Sequence, residues 1–259
     1  MSEEMVGGFV LMGWLVGVGG RWVLGRLRRG AVFGPPWCEL VTSVLFGVLG
    51  WRFAAGTLPG WWLPVPLLLA GLGVPLAAVD LVHRRLPDAL VLPGYPLVGA
   101  ALAGAALGPP GVWVLVRAGL GLLVFGGAHL LVRRIAPGAL GAGDVKLAGM
   151  LGAALGAVGW PALVVAPVLA AVPTLVLAVW PRGDRCGDRC GDRRGGWSRG
   201  LAGVLPERLR VASLLVLPCR WRDRTHDRTW RDTAAHGPGL LGATWLLTVF
   251  AYADLPPPG

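Results

Sequence analysis

The sequence predicts an all-α fold: a polytopic transmembrane helical bundle of about eight apolar helices, with an Arg-rich insert before the last one. Three observations predict it. Hydrophobic residues make up 54% of the 259 positions and charged residues only 15%, and the mean hydropathy is +0.63, a balance that suits a chain solvated by lipid. The apolar residues fall in runs close to span length. The formal charge of +10 gathers in short loops between those runs and in the insert. That is the positive-inside pattern of a membrane protein, so the lipid bilayer is the expected surrounding and nucleic acid is not an expected partner.

The elements follow in order. The start, Met1-Ser2-Glu3-Glu4, is acidic, and Arg21, Arg26, Arg28 and Arg29 follow the first apolar run, residues 5–20, instead of preceding it. This reads as a retained span with the N-terminus outside, not as a cleaved signal. A second, short run over 39–50 is entered through Gly34-Pro35-Pro36, and a third over 61–79 through Leu58-Pro59-Gly60. The third leaves the membrane at Asp80, with His83, Arg84 and Arg85 just beyond. Residues 89–107 return outward, Gly108-Pro109-Pro110-Gly111 turns the chain, and 112–132 come back to Arg133 and Arg134. An Ala/Gly/Leu helix over 145–158 is short for a crossing, and 160–180 is a full span, with Gly159 and Pro161 marking the break. Counting both as crossings puts residue 181 onward in the cytoplasm, where the heaviest positive charge begins.

Three regions result. Residues 1–180 form the expected membrane-embedded core, 181–235 a cytoplasmic insert, and 236–259 the final helix and tail. The insert opens on the repeat Gly183-Asp184-Arg185-Cys186, Gly187-Asp188-Arg189-Cys190. Such composition cannot bury a core and is expected to be disordered, apart from an interfacial helix over 201–217. The 4 cysteines form no framework. The spacing of Cys186, Cys190, Cys219 and His226 is too loose to read as a zinc site, so no metal is expected.

Two stretches carry the chemistry. Ala77 to Pro93 reads A-A-V-D-L-V-H-R-R-L-P-D-A-L-V-L-P, and Gly141 to Gly152 reads G-A-G-D-V-K-L-A-G-M-L-G. A carboxylate at the edge of an apolar segment is costly, so Asp80 and Asp144 are the candidate catalytic pair. By the topology count both lie at one membrane face. Two carboxylates close together in a poorly solvated site cannot both ionise, so one holds a proton while the other activates water. Gly141 and Gly143 would allow close backbone approach or a positive φ, leaving room for an extended substrate. Against this, Gly-x-Gly-Asp also suits a helix N-terminus, with Asp144 spent as a cap. Asp88 reads as the N-cap of the next helix, and Lys146 as a residue that snorkels to headgroups or lowers the pKa of a nearby carboxylate. Glu39 reads as a structural tie to a basic loop.

With these residues on the page, the sequence resembles the bacterial prepilin peptidases (type IV leader peptidases), membrane aspartic peptidases of the Gly-x-Gly-Asp class. The resemblance rests on Asp80 followed by Leu86-Pro87-Asp88 and Leu90-Val91-Leu92-Pro93, and on Gly141-Ala142-Gly143-Asp144-Val145-Lys146-Leu147, in the family's order with a two-helix hairpin between. Softer matches are Pro36-Trp37-Cys38-Glu39-Leu40-Val41-Thr42 and His236-Gly237-Pro238-Gly239. The resemblance implies an aspartic endopeptidase with Asp80 and Asp144 as its catalytic acids, no cofactor, and a prepilin or pseudopilin precursor as substrate, cut at the cytoplasmic face. Longer members carry an N-terminal Cys-x-x-Cys loop associated with zinc and with N-methylation. Residues 21–36 contain no cysteine, which puts a methyltransferase activity in doubt. The competing reading is a small transporter or non-catalytic scaffold of a pilus or secretion machine, whose acids bind a cation or cap helices. An inverted repeat of spans, the usual mark of such carriers, is not evident.

Overall fold

The chain was analysed as a computed structural model that describes residues 2–26, 36–83, 88–136, 140–179 and 237–251. Eight helices are present among the described residues: α1 (Ser2–Arg26), α2 (Trp37–Ala54), α3 (Pro64–His83), α4 (Asp88–Ala105), α5 (Trp113–Ile135), α6 (Ala142–Val158), α7 (Trp160–Val179) and α8 (Gly237–Phe250). Five of them, α1 to α5, are long and apolar enough to cross a membrane, while Trp160–Val172 of α7 and α8 are shorter apolar stretches. The protein is thus an all-α, multi-pass membrane protein. In hydrocarbon a helix is what such sequences must form, because it alone satisfies every backbone N–H and C=O within the segment. Where the chain turns, glycine supplies what other residues resist: Gly56 and Gly111 have φ of 69° and 59°, the left-handed region. The proposed insert and its helix over 201–217 lie outside the described residues.

Apolar burial centres on α6. Every residue from Leu147 to Val158 is buried, with α4, α5, α7 and α8 packed around it. The outer helices instead expose leucine and valine, for example Leu11, Leu15, Leu123 and Val164, as lipid-facing surfaces do.

Small residues set the helix spacing. A Cβ on Gly156 would fall 2.7 Å from the Gly121 α-carbon, and one on Gly126 would fall 3.0 Å from that of Gly149. The α5 and α6 backbones therefore touch, a contact that only glycine permits. On the other flank, a Cβ on Gly13 would fall 2.8 Å from the Ser43 α-carbon, and one on Gly17 would fall 2.6 Å from that of Glu39. This glycine pair four residues apart lets α1 lie directly on α2.

Polar side chains close the ends. Trp62 Nε1 donates to the Thr248 carbonyl at 2.8 Å, and the Arg52 guanidinium sits 4.6 Å over the Phe250 ring. The end of α8 is thereby held beside the start of α3 and the end of α2. Arg117 Nη2 donates to the Val158 carbonyl at 3.1 Å, serving a C-terminal carbonyl that α6 cannot satisfy internally. This leaves the ends that bear Asp80, Asp88 and Asp144 together at the opposite pole.

The glycine contact generates a direct expectation. Gly121→Leu should lower stability by about 1–3 kcal/mol through overpacking, seen as a fall of several degrees in the melting midpoint in detergent. Gly119→Leu, on the same helix with nothing within 4 Å of its Cβ position, should stay within about 0.5 kcal/mol of the parent.

Candidate active site

Asp80 lies on the last turn of α3 and is only 4% exposed. Its carboxyl faces the first residue of α8: a Cβ on Gly237 would fall 2.5 Å from Asp80 Oδ2 and 3.2 Å from Cγ. No side chain fits there, so the missing Cβ lets a helix N-terminus approach the acid. The partial positive charge of that terminus favours a carboxylate and offsets part of the burial cost. The preceding residues, Ala78 and Val79, pack with Leu24 and Cys38, so α1 and α2 close the site from the other side.

Asp144 is the third residue of α6 and is half-buried. Its Oδ2 accepts a hydrogen bond from the Gly141 backbone N–H at 3.1 Å, which is the reach-back half of a capping box. The capping role weighed for this residue is therefore real, and it occupies one oxygen. Gly141 has φ −68° and ψ 155°, ordinary extended backbone. The positive φ foreseen for Gly141 and Gly143 does not occur, because the chain enters the helix directly. Gly141 matters instead for space, since a Cβ there would fall 3.1 Å from Asp144 Oδ2.

Lys146 and Asp88 form a pair that the sequence reading had separated. Lys146 Nζ lies 2.7 Å from Asp88 Oδ2, so the lysine does not simply snorkel. Asp88, the first residue of α4, ties that helix to the first turn of α6. The clamp has a second point, because Tyr95 Oη donates to the Lys146 carbonyl at 2.5 Å. Tyr95 was missed at the sequence level. The signal was present, since it is one of 2 tyrosines in the chain and sits in an otherwise apolar helix where a hydroxyl needs a partner.

Glu39 is buried, at 1% exposure, with Oε1 2.6 Å from Arg21 Nε. The ion pair joins α1 to the start of α2, and its cation lies within a helix where the sequence suggested a basic loop. Its Oε2 and the Ser43 hydroxyl, one turn along, have no hydrogen-bond partner among the described residues.

Asp80 and Asp144 thus stand at the same pole, on helices that share α4 and α8 as neighbours and have little direct contact. One acid is buried against a helix N-terminus and the other is half-open.

Residues 67–179 match the type IV leader peptidase family. A curated protein of Neisseria gonorrhoeae named prepilin leader peptidase/N-methyltransferase is 29% identical over 159 residues, 56% of this chain and 49% of that one. The chain therefore spans about half the length of that relative. No solved structure matches. The segment that matches the type IV leader peptidase family runs from α3 through α7 and contains both aspartates.

Proposed function

We propose that the protein is a membrane aspartic endopeptidase that removes the leader of prepilin or pseudopilin precursors at the cytoplasmic membrane face, with Asp80 and Asp144 as its catalytic acids. One observation supports the reading: the family match covers both aspartates, which lie at the end of α3 and the start of α6, with α4 clamped to α6 and α8 set against Asp80. The name of the Neisseria relative supports the substrate class. The N-methylation in that name is not proposed for this chain, for want of cysteine in residues 21–36.

The chemistry follows from unequal acids. The ionised carboxylate takes a proton from a water molecule as the water oxygen adds to the scissile carbonyl carbon, while the protonated partner gives its proton to the carbonyl oxygen. The tetrahedral intermediate collapses: the second acid takes a proton from one of its hydroxyls as the C=O bond re-forms, the C–N bond breaks, and the leaving nitrogen receives a proton from the first acid. The dyad ends in its starting charge state with protons exchanged. Because α3 and α6 are separated by α4 and α8, the water and substrate must bridge the two carboxyls across the mouth between those helices. The hydrogen bond from Gly141 holds Asp144 Oδ2 and leaves the other oxygen to meet the water.

Asp80→Asn and Asp144→Asn should each lower precursor shortening by about 10²–10⁴-fold, read as the ratio of mature to precursor protein on co-expression. Cleavage that survives either change would remove the dyad. Asp88→Asn loses an exposed ion pair worth about 0.2–1 kcal/mol and should retain most of the activity. Lys146→Met should behave alike, and the double variant should cost little more than either single one.

Gly237→Ala tests the contact between α8 and the acid. A methyl group there must displace the Asp80 carboxyl, and a shift on the order of 1 Å at a reacting group costs about 10²-fold in rate. The loss should appear in kcat while the melting midpoint moves little. Unchanged turnover would show that α8 does not position Asp80.

A further inference from the structure

An apolar groove of about 380 Å³ runs between α2, α3 and α8. Along α3 its wall extends from Leu69 to Leu81, about 18 Å at the helical rise. Among the described residues that line it, none is charged. At one end the walls are Ala77, Leu81 and Pro238, the residues flanking Asp80 and following Gly237. Asp80 itself does not line the groove, but Leu81 and Pro238, the chain neighbours of Asp80 and Gly237, do, so this end lies next to the buried acid.

Two glycines keep it a groove. Gly242 has nothing within 4 Å of its Cβ position, and the nearest atom to that of Gly73 is a Leu241 methyl at 3.7 Å. Unlike Gly121 or Gly237, these glycines are not demanded by a neighbour. Their lack of a side chain leaves space open rather than filling a contact.

We propose that this groove receives the apolar helix of the membrane-inserted substrate, laid along α3 so that the peptide bond at its end lies at Asp80. The inference rests on the peptidase reading above and adds the place where the substrate docks. About 18 Å is three turns or slightly more of a helix, enough to seat one side chain per turn in the manner of ridges entering grooves. The end wall decides between an apolar helix and a lipid chain. A phospholipid filling the groove from the acid end would set its phosphate beside the Asp80 carboxyl, a like-charge contact at poor solvation. A peptide helix brings a neutral amide to the same point.

The experiment has two arms on the full chain in vesicles with a membrane-inserted precursor. First, Gly242→Trp fills the groove; it should lower kcat/KM at least tenfold, chiefly through KM. Gly99→Trp, equally open on α4 but away from the groove, should match wild type. Wild-type cleavage by Gly242→Trp would overturn the docking proposal while leaving the peptidase reading intact. Second, a photo-crosslinking residue replaces Val41, which lines the groove and is 44% exposed, in the Asp80→Asn background. It should capture the precursor, whereas the same residue replacing Leu123 on α5 should not. Capture of lipid alone, or of the chain itself, would overturn the proposal. Capture of the precursor by a protein whose wild-type form never cuts it would uphold the docking and remove the peptidase reading.

Discussion

The backbone contact between α5 and α6 is the constraint on which the rest of the structure depends. Three glycines, Gly121, Gly152 and Gly156, bring two helices together without intervening side chains. In lipid this matters more than in water, because burying an apolar side chain against another helix gains little over burying it in hydrocarbon. Close approach, with its dispersion contacts and small desolvation cost, is what remains to hold spans together. The consequence is that α6 sits at the centre with every residue of its second half buried. Its N-terminal turn, which carries Asp144 and Lys146, projects from that fixed core to the pole where α4 and α8 begin.

At that pole the polar interactions form a graded series. Asp88 and Lys146 are partly open and their pairing is easily exchanged for water or headgroups. Glu39 is closed off with Arg21 and carries an unsatisfied oxygen among the described residues. Asp80 is buried against the start of α8. Exposure falls from Asp88 and Lys146 to Glu39 and Asp80, which are 1% and 4% exposed, and it does not sort the groups by role, because Glu39 ties α1 to α2.

Much of this was legible in the sequence, and the reasons it was legible are physical. Apolar runs broken by Gly-Pro pairs mark helices because lipid leaves the backbone no alternative, and all eight appear. Asp80 and Asp144 stood out because acids at the edge of apolar segments are costly. What was not legible depends on which helix faces which. Asp88 looked like a cap and Lys146 like a snorkelling residue, since neither reading requires knowing that α4 and α6 begin side by side. Gly237 was visible as part of a Gly-Pro helix start, yet its contact with Asp80 spans most of the chain and has no local signature. The glycines before Asp144 suited either close approach or a positive φ, and in a chain with 42 glycines composition alone does not choose between them.

The wall that α8 provides for Asp80 also has a history in time. Gly237 follows Asp80 by 157 positions (237 − 80), which at ordinary rates of synthesis is about 8 to 30 seconds of translation. During that interval α3 is already made while the helix that closes over its acid is not. The groove between α2 and α3 then has only two of its three walls, and the carboxyl lacks the helix terminus set against it. Assembly of the site is thus sequential: α8 reaches Asp80 only after every other described helix has been made.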